Sequence, residues 1–218
     1  HNNKWLITML KRLLIASTFL LFSTALYANP NGLASIQQTW DEITYTVPKE
    51  AQFRQFLTLI DTASQYAEDA NHNPESLIWL AVSQSGAARA KGGLDALDLA
   101  KQAKENLERA IAADKTALEG AGLGILASLY HKVPGWPVGF GSDKKARKLF
   151  KEALEVNPNG LDSNYFYAEF LFDEKDYDEA AQYLEKAKQA PGKQGRPLAT
   201  KARQQDIVEL EAKLKEKR

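Results

Sequence analysis

Four positions in the second half of the sequence return at a nearly constant interval, and this constrains the fold more than any other feature. Ala146, Phe150, Ala153 and Pro158 are matched by Ala180, Leu184, Ala187 and Pro191, at offsets of 34, 34, 34 and 33 residues. Self-similarity at such a period means one supersecondary unit copied along the chain, each copy burying its apolar side on its neighbours. An earlier copy, AKQAKENLERAIAADK, puts Ala103, Leu107 and Ala110 in the same roles, with Lys115 where the proline would stand. Lys115 to Pro158 spans 43 residues, so about nine are inserted between these copies.

The segments KKARKLFKEALEVNP and DEAAQYLEKAKQAP resemble the second helices of the tetratricopeptide-repeat family. In that family small, large and small residues recur at these positions, so that the two helices of a unit approach closely. The resemblance is clear from about Thr116 to Pro191, looser from Pro74 to Lys115, and only a matter of helical period from Ala34 to Ala70. It implies an all-α fold, a right-handed α-solenoid of antiparallel helix pairs with an irregular inserted loop and a C-terminal capping helix. The stretch LYHKVPGWPVGFGSDKKA also resembles exported bacterial repeat proteins without an assigned activity.

The residues support helices independently. Phe53, Phe56, Leu57, Ile60, Ala63 and Ala67 recur at three and four, and no segment alternates as a strand would. Pro48 and Pro74 suit first-turn positions, Asn73 suits a cap, and Asp176 with Glu179 reads as a capping box. Gly92-Gly93 and Asn157-Pro158-Asn159-Gly160 break the chain between helices. Gly120, Gly122 and Gly124 each weaken a helix by up to about 1 kcal/mol relative to alanine, so close contact with a neighbouring helix is expected of them. The inserted loop, residues 132–142, carries PGWPVGFG, whose prolines and glycines exclude regular helix. After Pro191 a basic link, GKQGRP, leads to a last helix with Ile207, Leu210 and Leu214 as its apolar stripe.

The amino terminus reads as an export signal. Met9 is followed by Lys11 and Arg12, then by the apolar run Leu13 to Phe22, then by STALYANP with cleavage expected after Ala28 or Ala25. A membrane anchor fits less well, because the run is shorter than the roughly 20 apolar residues a spanning helix needs and the segment is diluted by Ser17, Thr18, Ser23 and Thr24. The expected division is therefore 1–28 as upstream extension and signal peptide, 31–191 as the helical domain, and 192–218 as linker and capping helix. A periplasmic or secreted location follows.

Composition narrows the function. The 28 basic residues balance 28 acidic ones, and without Lys4, Lys11 and Arg12 the remainder is 25 against 28, a formal charge of −3. No field of this sign draws nucleic acid. With no cysteine there are no disulfides, thiolate metal sites, cysteine nucleophiles or lipidated cysteine. No metal, cofactor or catalytic residue is expected. Ser83, Ser85 and Gly86 form no nucleophile elbow, and His72 in NHNP reads as a turn residue.

Two groups of candidate binding residues remain. By the resemblance, the first helix of each unit lines the groove, which selects Asp162, Tyr165, Glu169, Phe172 and Asp173. Their acidic and aromatic character suits a partner segment with basic and apolar side chains. Several aromatics on that helix, Tyr167 and Phe170 above all, must instead serve the core, and Phe172 fits either role. The second group, Tyr130, His131, Trp136 and Phe140, surrounds the inserted loop. Trp136 and Phe140 are either binding anchors or a plug, and the plug is favoured because exposed aromatics are unfavourable without a partner. His131 with Asp143 is the sparse beginning of an acid–base or metal constellation.

The reading that best unites these features is a non-catalytic adaptor holding a protein or peptide. A periplasmic small-molecule receptor with an aromatic pocket around Tyr130, His131, Trp136 and Phe140 is the alternative. A hydrolase, which would need His131 among carboxylates in a cleft, ranks third.

Overall fold

The computed structural model describes residues 32–217, and the expected signal peptide with its expected cleavage after Ala28 or Ala25 lies outside them. Nine α-helices follow one another among the described residues: α1 Leu33–Thr46, α2 Lys49–Asp69, α3 Pro74–Lys91, α4 Leu97–Ala113, α5 Ala117–Lys132, α6 Asp143–Val156, α7 Leu161–Asp173, α8 Tyr177–Gln189 and α9 Pro197–Lys217. A short 3₁₀ turn, Leu94–Ala96, precedes α4. No sheet occurs among them, only one isolated bridge between Gly135 and Gly141. Consecutive helices pack as pairs, α3 on α4, α5 on α6 and α7 on α8, which makes the all-α solenoid.

The 34-residue pattern explains the pairing. Ala103, Leu107 and Ala110 on α4, Ala146, Phe150 and Ala153 on α6, and Ala180, Leu184 and Ala187 on α8 are all buried. The small residues let neighbouring backbones approach, and the large residue between them fills the space this leaves. Full burial of Phe150 removes enough apolar surface from water to contribute about 1.5–3 kcal/mol. A continuous core runs from α3 to α9, and Ile36, Ile43, Phe56, Leu59 and Trp79 form a second one beneath α1, α2 and α3.

The chain breaks fall where expected. Asn73 caps α3 by accepting a hydrogen bond from the Ser76 backbone N–H at 2.9 Å, with Pro74 in the first turn. Gly92 and Gly93 take positive φ values of 66° and 65°, which end that helix at little cost. The capping box does not form: Asp176 precedes α8 without a side-chain cap bond, and its carboxylate accepts instead from Arg147 at 3.1 Å. Gly120 takes a left-handed φ of 77° at a kink in the first turn of α5, and a Cβ there would also lie 3.0 Å from Val156. Close packing accounts for Gly122, facing Ile78 at 3.4 Å. It does not account for Gly124, where a Cβ would meet nothing within 4 Å.

The last helix does more than cap. Ile207, Leu210 and Leu214 join the core beside α8, as the stripe predicts. The amino-terminal half of α9 continues past α7 to reach α1, so the first and last described helices touch.

Candidate functional site: an inner face occupied by a basic strap

On α7, Asp162, Tyr165, Glu169 and Asp173 follow one another at intervals of three and four and so share one side of the helix. Phe172 is turned off this line: it is half-buried and packs on Tyr177 at the start of α8, with ring centroids 5.4 Å apart. Tyr167 and Phe170 are buried in the core, as their neighbours demand.

The line is not open. Asp162 is gripped by two cations from the C-terminal segment: Lys193 forms an ion pair with one carboxylate oxygen, and Arg203 Nε donates to the other at 3.0 Å. The Arg203 guanidinium lies over the rings of Tyr165 and Phe166, 4.3 and 4.5 Å from their centroids, and donates to Asp206 at 2.7 Å. Tyr165 is consequently only 6% exposed. Further along the strap, Arg196 donates to both oxygens of the buried Asp41 on α1 and stacks 4.8 Å from the Trp79 centroid on α3. Its guanidinium also lies 5.9 Å from Trp40.

Electrostatics follows this geometry. Burial pushes the Asp162 carboxyl up, but Lys193 and Arg203 outweigh it and hold the pKa below the ordinary 3.8. Burial likewise lowers Arg203, but Asp162 and Asp206 leave it above its usual value. Lys193 goes the other way, since burial exceeds the attraction of Asp162, with Arg203 nearby adding repulsion. Burial raises the Tyr165 phenol and the Asp206 carboxyl.

At the other end of the line the two sequence-predicted groups meet. His131 Nδ1 lies 2.7 Å from Asp143 on α6, and its Nε2 lies 2.9 Å from Asp173 on α7. Lys132 donates to Asp173 at 2.9 Å and stands 3.6 Å from Glu169. Burial raises the Asp173 carboxyl, yet its hydrogen bonds from His131 and Lys132 bring it below the ordinary value. Three helices are tied together here, and both ring nitrogens of His131 are engaged. Among the described residues no group of three or more His, Asp or Glu side chains is arranged to hold a metal ion.

The loop residues separate. Tyr130, one position before His131, points the other way: it is buried, meets Phe140 edge-on at 5.6 Å, and donates to Glu108 at 3.3 Å. Phe140 is thus tucked in, as a plug would be. Trp136 is not, for it stands 89% exposed, with Val138 beside it 51% exposed. The plug expectation fails for Trp136 because the loop backbone closes on itself. Gly141 N–H donates to Pro134 O at 2.9 Å and Ser142 N–H to Tyr130 O at 2.7 Å, leaving the tip outside. The chain passes so close to itself that a Cβ on Gly141 would sit 1.9 Å from Val133 O.

Residues 144–203, from α6 to the middle of α9, match the family described as Tetratricopeptide repeat. That segment carries tetratricopeptide repeats. Solved structures similar to this repeat protein include MamA, at 15% identity and a TM-score of 0.44, covering 74% of this chain and 80% of that one. Another is PilF of Pseudomonas aeruginosa, at 16% identity and a TM-score of 0.34, covering 85% and 93%. No curated protein matches the chain.

The sequence reasoning missed Arg196, Arg203 and Lys193, together with Asp41, Trp40 and Trp79 opposite them. A signal was present. Ala199, Arg203, Ile207, Leu210 and Leu214 are spaced four, four, three and four apart, which places Arg203 within the apolar stripe of α9 rather than on its solvent side.

Proposed function

We propose that this repeat protein is a non-catalytic adaptor that works outside the cytoplasm and holds a helical protein segment on the inner face of its first helices. One observation carries the reading: an acidic and aromatic surface built from α1, α3 and α7 already has a basic helix seated on it. The chemistry is the one expected for a partner, with guanidinium groups on carboxylates and over rings. Repeat solenoids commonly bind peptides and proteins on such faces.

Both ring nitrogens of His131 are turned to carboxylates of the protein, so neither is directed at a substrate, which favours an adaptor over a hydrolase. Tyr130 and Phe140 pack edge-on against each other and Trp136 stands exposed, so the aromatics of the loop are not gathered around a pocket, which favours the adaptor over a small-molecule receptor. Export rests on the Met9 to Ala28 pattern, and sequencing the amino terminus of the mature protein should find cleavage after Ala28 or Ala25.

The adaptor reading is tested by placing a photo-crosslinking residue at Asp173, exposed at the end of the α7 line, in intact cells. One dominant crosslinked protein is expected, lost on combining Tyr165→Ala with Glu169→Lys. Co-purification of a small molecule with no protein partner would overturn it.

A further inference from the structure

The amino-terminal half of α9 is attached differently from its carboxyl-terminal half. Between Pro197 and Asp206 the only buried apolar residue is Ala199, whereas Ile207, Leu210 and Leu214 follow in the second half. The first half and the link before it are held by charges: Arg196 of the link on Asp41, and Lys193 of the link with Arg203 of the helix on Asp162. Buried ion pairs recover little beyond their own desolvation, so well-packed apolar residues in place of both Arg203 and Asp162 would hold the helix about as firmly. What the charges add is selectivity, because each guanidinium is matched to one carboxylate and one set of rings.

The connection is also suited to release. Residues 190–196 form no helix, Gly192 and Gly195 lie within them, and Gly195 takes a φ of 69°. Such a link allows α9 to leave and return without unwinding α8, whose uncovered apolar side an incoming helix would cover in turn.

We propose that α9 and its basic link are an intramolecular ligand that keeps the inner face closed, and that the partner is an amphipathic helix of the same pattern which exchanges with it. The partner carries a small residue, an arginine and three apolar residues at intervals of four, four, three and four. A second arginine stands seven residues before the first, matching Arg196 and Arg203. Charge complementarity to Asp41 and Asp162, and stacking on Trp79 and Tyr165, select this helix over an acidic or purely apolar one. Binding in trans is then weakened by the fraction of time the chain's own helix fills the site, and loosening the latch strengthens it.

The proposal rests on the adaptor reading and names its partner class and regulation. The probe is a labelled synthetic peptide of residues 192–217, followed by fluorescence anisotropy against the full chain. The wild-type chain is expected to bind weakly, and the chain carrying Arg196→Ala with Arg203→Ala at least about tenfold more tightly, since its own helix competes less. A peptide bearing Arg203→Glu should bind neither. Equal affinity for the two folded chains, or no binding to either, overturns the latch.

Should the double variant not fold, hydrogen exchange on the wild-type chain decides. Excess peptide should speed exchange of the α9 amides while leaving those of α7 unchanged, and unaltered α9 exchange overturns the proposal. An α9 that never yields, alongside a protein trapped at Asp173, refutes the latch and leaves the adaptor standing. Peptide exchange without any cellular partner refutes the adaptor and leaves the latch.

Discussion

Asp162→Asn isolates the charge at the centre of the inner face, because asparagine keeps the shape and removes only the negative charge. Lys193 and Arg203, 18% and 11% exposed, would then share a neutral amide, with Asp206 the remaining acid beside Arg203. Removing one partner of a fully buried ion pair costs about 3–5 kcal/mol, while exposed pairs contribute about 0–1 kcal/mol. The Asp162 side chain is 37% exposed, so solvent screening sets the expected loss between these, at about 2 kcal/mol. For a domain of this size that lowers the melting temperature by about 4–8 °C. The dependence on pH is more diagnostic. Asp162 titrates below its ordinary value in the folded chain, so the unfolded chain takes up its proton first on acidification. Its contribution is complete above the ordinary carboxylate range and disappears as pH falls through the folded value. Asp173 has the same sign and Asp206 the opposite one, and both remain in the variant, so they largely cancel in the difference. Urea unfolding of both chains from pH 7 to pH 3 should show a gap of about 2 kcal/mol that narrows below about pH 4. A gap unchanged across that range, or one below about 0.5 kcal/mol, would refute the reasoning.

Other substitutions separate packing from recognition. Phe150→Ala, at the large position of the repeat, should destabilise by about 3–5 kcal/mol in chemical unfolding, since close neighbours on α7 leave a cavity when the ring is removed. Gly86→Ala should destabilise by about 1–3 kcal/mol despite alanine's better helix propensity, because its Cβ would lie 2.6 Å from the fully buried Phe56 ring. Its melting temperature should fall; a rise would show that α2 and α3 have room to separate. Trp136→Ala should change stability by less than about 0.5 kcal/mol, as expected for a side chain 89% exposed. A larger loss in the same unfolding assay would mean that the ring packs against the body.

The sequence alone determined the repeat and therefore the fold. A small–large–small pattern returning every 34 residues buries the same three positions in α4, α6 and α8, since each copy has only its neighbours to cover its apolar side. Helix ends were legible for similar reasons, because Asn73, Pro74 and Gly92-Gly93 act through local backbone geometry. Asp176 was misread because Arg147, 29 residues away, competes for the carboxylate that the local pattern assigns to a cap. The face of α7 was partly legible: its acidic and aromatic residues indicated the chemistry of an occupant, but Phe172 went to Tyr177. Tertiary structure alone decided what that occupant is. Arg196 and Asp41 lie 155 residues apart, and no local periodicity relates them. Their meeting depends on the turn accumulated over every intervening helix pair, a property of stacked geometry that no single segment encodes.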